Sequence, residues 1–429
     1  MARSRSREPS RVRSPFDGAD LVRRGPLLYP AIRGFPSVDA VGLTGRHKAL
    51  YVDTPEALRA LVDRFRQAPL VGIDTEFMRE RTYFAKLCLV QVSTAEESAI
   101  IDPLAVTDLS PLCELLTDRN VLKVLHAGTQ DLEIFYRICE ESTAPVFDTQ
   151  VAATLAGFPQ QVGYGALVHE LLGVKLDKGD TYTDWGKRPL SATQVEYALN
   201  DVRYLPEVHR LLTERLDDGN RLAWLADDFS DLEAEETYRL DETSLWRRVK
   251  RVSSLNRRQL AIAREVTAWR EREAMRRDVP RRWVLGDESI VEVARRAPAT
   301  VDEAYAIRGV GDKVGRGAMN GLLAAVQAGA ACPEDDLPSL PKRKRPNGDV
   351  DGAVDLMVAL VRLRARQNGV AMPLLASRDD LERLAAGERD SSPLLEGWRR
   401  TMVGNELVEL LDGVISLSVS DGELVVQRD

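Results

Sequence analysis

LVGIDTEF, residues 70–77, is the stretch whose reading decides the fold. The apolar run LVGI leads directly into Asp74-Thr75-Glu76. Side chains at i and i+2 of a strand project to one face, so Asp74 and Glu76 stand together. Working outward, KLCLVQVS (86–93), SAIID (98–102), VLKVLHA (121–127) and APVFDT (144–149) are further strand-like runs. Helical patterns occupy 108–118 and 129–140 between them. Ahead of them, TPEALRALVDRF carries Thr54 as N-cap and Pro55 at the first helical position, with order expected from about Ala49. Strands interleaved with helices predict an α/β domain, a sheet flanked by helices.

That domain closes with SATQVEYALNDVRYLPEVHRLLTERL (191–216), an amphipathic helix with Ser191 as N-cap and a kink or break at Pro206. Residues 1–48 are Arg/Ser/Pro/Gly-rich without periodicity and read as a disordered basic tail. The expected division is then an α/β domain at 49–216, an acidic connector at 217–244, a helical domain at 245–330, a Pro/Lys/Arg linker at 331–350 and a last domain at 351–429. The last begins with helices, one opening on a Ser377-x-x-Asp380 capping box, and ends in a hairpin turned at Asp421-Gly422.

The chain has 429 residues, and its 44% hydrophobic and 29% charged composition excludes collagen-like and largely disordered classes. No apolar run approaches ~20 residues and no secretory h-region opens the chain, so no membrane span is expected. Cys88, Cys113, Cys139 and Cys332 form no CxxC pair. A zinc site or disulfide framework is therefore not expected, and a reducing cytoplasm is the default compartment. Net charge is 59 − 67 = −8, yet residues 245–320 hold eighteen bases against ten acids. An acidic chain with one basic domain can hold a polyanion there and act elsewhere.

Three acidic places share a setting. Asp74 and Glu76 follow a buried-type run, Asp131 opens a helix after another, and Asp201 stands one helical turn from Tyr197. Each alone has an ordinary reading: a loop acid, an acid at a helix N-terminus, an exposed pair. Together they suggest a cation, because clustered buried carboxylates protonate unless one neutralises them. Mg²⁺ and Mn²⁺ prefer such oxygens, and two ions can activate a water and stabilise a leaving oxygen in phosphodiester cleavage. A tyrosine beside the last acid can orient that water.

These motifs, with IDTEFMRERTYFAKLCLVQVS (73–93), HAGTQDL around Asp131, TDWGKRPLS (183–191) and YALNDVRYL (197–205), resemble the ribonuclease D family of DEDDy exonucleases. The resemblance covers about 70–215. Residues 245–325 resemble an HRDC domain, and 351–429, more loosely, a second HRDC-like domain. The long N-terminal tail and the terminal hairpin depart from the family pattern. The resemblance implies a ribonuclease H-like fold for the exonuclease domain, followed by mainly helical domains. It implies 3′→5′ hydrolysis releasing nucleoside 5′-monophosphates by in-line attack of metal-bound hydroxide. Asp74, Glu76, Asp131 and Asp201 would hold two divalent ions, Mg²⁺ or Mn²⁺, and Tyr197 would position or deprotonate the water.

Weaker candidates surround these. His126 reads as a hydrogen-bonded structural residue or a substrate contact. Asp148 reads as a second acid near the metals or as a helix cap. Gln91 faces substrate or is satisfied within the sheet. In 175–191, Trp185 stacks on a base or anchors the core, Lys187 contacts phosphate, and Arg188 contacts phosphate or pairs with an acid. In the basic domain, Arg247, Arg248, Lys250 and Arg251 suggest phosphate contacts. Gly309, Gly311 and Lys313 suggest a phosphate loop or a tight helix–helix turn. The cluster at 342–345 reads as a solvated linker. The expected partner is RNA with a structured body, such as a tRNA precursor, bound by a monomer. A DNA exonuclease acting on single strands and a non-catalytic scaffold are the alternatives.

Overall fold

The strand-like runs become one six-stranded sheet. The computed structural model describes residues 48–177, 183–217, 221–340, 350–390 and 392–428. The basic tail through residue 47, the part of the 175–191 stretch at 178–182, and the basic cluster at 342–345 lie outside the described residues. The strands are β1 (Lys48–Val52), β2 (Leu70–Met78), β3 (Lys86–Ser93), β4 (Glu97–Ile101), β5 (Leu122–Leu125) and β6 (Val146–Asp148), in spatial order β1-β4-β3-β2-β5-β6. The central β4-β3-β2 strands are antiparallel to one another, while β1 on β4, β5 on β2 and β6 on β5 are parallel. The sheet is therefore mixed. β1 has no counterpart among the strand-like runs of the sequence. KALYV is an edge strand with an exposed start, and its pattern emerges only once β4 is beside it.

Helices α1 (Pro55–Phe65), α2 (Ser110–Thr117), α3 (Thr129–Cys139), α4 (Thr149–Leu155) and α5 (Tyr164–Leu172) accompany the sheet. Thr54 caps α1 as expected, its hydroxyl accepting from the Ala57 N–H. The long helix expected over 191–216 is two helices, α6 (Ala192–Arg203) and α7 (Leu205–Asp217). Pro206 has no N–H to give the Val202 carbonyl four residues earlier. The Ser93 hydroxyl donates to that carbonyl instead, at 2.6 Å, and so ties the break to β3. Gly72 on β2 makes room for it: a Cβ there would lie 2.5 Å from Ser93 Oγ and 2.9 Å from Leu205 Cβ.

One cysteine expectation is corrected. Cys113 on α2 and Cys139 on α3 form a disulfide with a Cα–Cα distance of 5.4 Å, while Cys88 and Cys332 are free and buried. The partners are 26 residues apart, so no local spacing marks them. Only the packing of α2 on α3 brings them together.

Beyond the sheet come α8 (Ala226–Glu233) and α9 (Glu235–Tyr238). Then follow α10 (Arg257–Arg277), α11 (Arg281–Val284), α12 (Asp287–Arg296), α13 (Val301–Tyr305) and α14 (Arg316–Ala330). These helices share a core around Trp246, Val266, Trp269, Ile290 and Leu322. The last segment holds α15 (Asp351–Asn368), α16 (Met372–Leu375), α17 (Arg378–Ala385), α18 (Gly397–Arg399) and α19 (Asn405–Leu411). It ends in the hairpin β7 (Ile415–Ser420) and β8 (Glu423–Arg428). Asp421 and Gly422 both have positive φ, 53° and 82°, as a two-residue type I′ turn requires. No described helix is long and apolar enough to cross a membrane.

The α10 bundle grips the β2–β3 loop. At the C-cap of α10, Asp278 Oδ1 accepts the backbone N–H of Tyr83 and of Phe84, each at 3.1 Å. The Tyr83 hydroxyl donates to Glu271, a fully buried carboxylate that also holds Arg281 at 2.7 Å. Separately, Arg221 donates to the Leu155 and Asn368 carbonyls, linking α4 to the end of α15.

Candidate active site

Asp74 and Glu76 share a face of β2 because strand side chains alternate. Across the antiparallel pair, Asp74 stands opposite Gln91 and Glu76 opposite Leu89. Helix α6 packs over β2, β3 and β4 through buried Ala198, Leu199 and Val202. A complete capping box, Ser191 with Gln194, fixes its start. The helix thereby brings Asp201 onto the two strand acids. Carboxylate oxygens of Asp74, Glu76 and Asp201 lie within 4.8 Å of one another. Asp131, in the first turn of α3, is buried and accepts a hydrogen bond from the Thr75 hydroxyl. Tyr197 is hydrogen-bonded to Asp201, one turn away.

The charges are in conflict without a cation. Burial, then Asp131, Asp201 and Glu76, push Asp74 well above the carboxylate range. Burial, then Asp201 and Asp131, raise Glu76 to about 8. Burial raises Asp201 to about 7 and Asp131 to about 6, the latter against the Thr75 hydrogen bond. Burial, followed by Asp201, Glu76 and Asp74, raises the Tyr197 hydroxyl above its ordinary value, so Tyr197 stays protonated at neutral pH. Such a set fits hard divalent cations: every donor is a carboxylate oxygen, from three separate elements. Gln91 reinforces the fit. It is fully buried opposite Asp74, and neither its Oε1 nor its Nε2 has a partner among the described residues.

Residues near the acids divide by what they touch. His126 has both ring nitrogens engaged, Nδ1 with Thr149 Oγ1 and Nε2 with the Val162 carbonyl, each at 2.9 Å. That is a structural role, which leaves no ring nitrogen for substrate. Asp148 caps α4 through the Gln150 and Val151 N–H groups. It also accepts from Ala127 and Gly128, holding the turn that launches α3 and Asp131. Trp185 is 8% exposed among Cys88, Leu89, Ile100 and Leu199, a core anchor without an open face for a base. Arg188 forks onto Asp102 at 2.6 and 2.8 Å and also bonds the Cys88 carbonyl, so its guanidinium is used inside the fold. Lys187 is exposed and in no ion pair among the described residues. Tyr164, at the start of α5, escaped the sequence reading. Its hydroxyl is buried, and burial together with Asp201 and Asp74 raises it well above the ordinary tyrosine value. A lone tyrosine 37 residues before Asp201 carries no local signal; only the packing of α5 exposes it as a neighbour of the acids.

The basic pairs of the helical region also sort themselves. Arg258 pairs with Glu334, Arg276 with Glu273 and Arg281 with Glu271, while Arg257 bonds carbonyls. Arg247 and Arg248, on a short 3-10 helix, and Lys250 and Arg251, on the turn after it, are exposed ahead of α10, with Arg247 beside the Trp246 ring at 5.3 Å. Gly309 has φ 80°, and a Cβ there would meet Ser289 Oγ at 2.6 Å, so the loop is a tight helix–helix turn. Gly311 is exposed, its absent Cβ only 3.4 Å from the Tyr305 carbonyl, and Lys313 donates to the Arg282 carbonyl at 2.9 Å.

Known proteins share this arrangement. The 3'-5' exonuclease family model matches residues 50–217, and the HRDC domain model matches 259–326. Ribonuclease D of Gluconacetobacter diazotrophicus is 46% identical over 376 residues, covering 87% of this chain and 95% of the relative. Ribonuclease D of Granulibacter bethesdensis is 43% identical, covering 86% and 94%. The crystal structure of Escherichia coli RNase D, described as an exoribonuclease involved in structured RNA processing, is similar at TM-score 0.74 and 32% identity, covering 85% of this chain and 98% of that one. The mixed sheet with α6 laid across it, the converging carboxylates and this similarity along nearly the whole chain have one explanation: the chain belongs to the ribonuclease D family of 3′→5′ exoribonucleases.

Proposed function

We propose that this protein trims the 3′ ends of structured RNAs such as tRNA precursors, releasing nucleoside 5′-monophosphates as a cytoplasmic monomer. The observation that carries the reading is the convergence of Asp74, Glu76 and Asp201 oxygens within 4.8 Å, with Tyr197 on Asp201. Asp74, Glu76, Asp201 and Asp131 would hold two divalent ions, Mg²⁺ or Mn²⁺. When bound, such ions lower the pKa of an attacking water and neutralise charge on the phosphodiester. The chain's own groups do the rest. The carboxylates fix where the scissile phosphate sits, and the protonated Tyr197 hydroxyl orients the water for in-line attack. Asp148 and Thr75 hold Asp131 in place from either side of its turn.

The working division is the one read from sequence: exonuclease domain 49–216, connector 217–244, HRDC domain 245–330, linker 331–350 and HRDC-like domain 351–429. Acidic walls repel a polyanion, so separate basic surfaces holding the RNA body make physical sense. The exposed bases at 247–251 and the exposed Lys187 are available for that contact.

The test uses 5′-labelled RNA and DNA of one sequence, with Mg²⁺ and an Asp201→Asn control. Shortening from the 3′ end on RNA, reduced about a hundredfold or more in the variant, is expected. RNA affinity should be nearly unchanged. Wild-type rates in Asp201→Asn would remove the metal-site assignment, and faster digestion of single-stranded DNA would move the substrate to DNA.

A further inference from the structure

Trp283 is 52% exposed, the most exposed aromatic residue among those described. It is not loosely displayed. Its backbone N–H donates to the Pro280 carbonyl at 2.7 Å. The next two residues, Val284 and Leu285, are buried in the helical core, and Arg281 on the same short helix is tied to Glu271. A short, anchored element therefore holds an indole face in water, where a planar ligand can reach it.

The surroundings are rich in cations. Arg282 precedes Trp283, and its carbonyl receives the Lys313 ammonium at 2.9 Å. Arg308, just before the Gly309 turn, has its carbonyl held by the Ser289 hydroxyl at 3.1 Å. Lys250 reaches the same region, its backbone N–H donating to Asp287 at the start of α12. Lys250, Arg282, Arg308 and Lys313 are all exposed, and none is in an ion pair among the described residues. Neighbouring Arg270, Arg276 and Arg281 each have a carboxylate. Basic positions distant in sequence, at 250, 308 and 313, are thus tied by hydrogen bonds to residues 282–289, the stretch that opens with Arg282 and the exposed Trp283. Cations alone suit any polyanion, but an indole face adds something only where bases are unstacked and free to lie on it. Duplex RNA hides those faces and offers only its backbone.

We propose that Trp283, with Lys250, Arg282, Arg308 and Lys313, forms a stacking platform for a single-stranded stretch of RNA. The proposal rests on the reading of RNA as substrate and deepens it. The platform would hold unpaired nucleotides beside the paired body, on the domain that also grips the β2–β3 loop leading out of the acidic strand.

The test measures binding of full-length protein in EDTA, so that no RNA is consumed, to labelled oligouridine and to a blunt RNA duplex of equal length across a salt series. Trp283→Ala should weaken oligouridine binding about tenfold to a hundredfold, with an unchanged salt slope and little change on duplex. Trp283→Phe should recover most of the loss, because a ring face remains. Arg282→Gln with Lys313→Gln should lower the oligouridine salt slope by about 1.4. Unchanged oligouridine affinity in Trp283→Ala, or equal losses on oligouridine and duplex, would overturn the platform and leave the face to another partner. Hydrolysis by the wild-type chain with Mg²⁺ is read in parallel. A wild type that digests RNA while Trp283→Ala binds normally overturns the platform alone. A wild type that neither binds nor digests RNA removes the substrate reading as well.

Discussion

At the scale of single residues, the acids are held at a cost that a cation relieves. Glu76 is raised to about 8 and Asp201 to about 7, chiefly by burial. Divalent ions must displace those protons to bind. Mg²⁺ affinity should therefore climb as pH rises from 6 to 8, with protons released on binding. Titration calorimetry in buffers of differing ionisation enthalpy reads this directly, and pH-independent affinity with no proton release would contradict it. Arg188 and Asp102 illustrate the opposite balance. Burial pulls the Asp102 carboxyl up, but Arg188, Tyr51 and the Leu104 N–H together hold it below the usual range. With Asp102 only 4% exposed, Asp102→Ala leaves a guanidinium without its partner. It should cost about 3–5 kcal/mol in urea denaturation. The sequence marked Arg188 as a phosphate contact or an ion-pair partner, and only its neighbour across the sheet decides for the pair.

At the scale of elements, the junction of α6 and α7 sets where Asp201 lies. Pro206 frees the Val202 carbonyl, Ser93 takes it, and Gly72 lets the break approach β2. Pro206 was legible in the sequence as a kink or break, because a proline inside a helical pattern removes a donor wherever it falls. The role of Gly72 was not legible, because it depends on what packs above the strand. Gly72→Ala should destabilise the fold by about 1–3 kcal/mol, since its Cβ would overlap Ser93 Oγ. It should also lower the hydrolysis rate by moving α6 off β2. A stable, fully active Gly72→Ala protein would show that α6 is positioned by its capping box and apolar face alone.

At the scale of the whole molecule, Asp278 binds the β2–β3 loop to the helical bundle through two backbone N–H groups. Asp278→Ala should leave both without an acceptor. Hydrogen exchange at Tyr83 and Phe84 should then accelerate selectively, while exchange in β3 stays slow. Uniform acceleration across the sheet would mean that the bundle supports the whole exonuclease fold rather than this loop. What the sequence by itself determined is local or periodic. Strand runs between helical patterns specify an α/β sheet flanked by helices, i,i+2 and i,i+4 spacings put acids on shared faces, and the Asp421-Gly422 pair specifies a hairpin. Its motifs also singled out Asp74, Glu76, Asp131, Tyr197 and Asp201. What only the tertiary structure decided depends on neighbours distant in sequence: the edge strand β1, the Cys113–Cys139 bond, Tyr164 beside the acids, and which arginines are spent on carboxylates. The physical reason is the same for each. Periodicity reports which face a residue occupies, whereas pairing, burial and charge balance are set by the partner on the other side of that face, and chain folding alone supplies it.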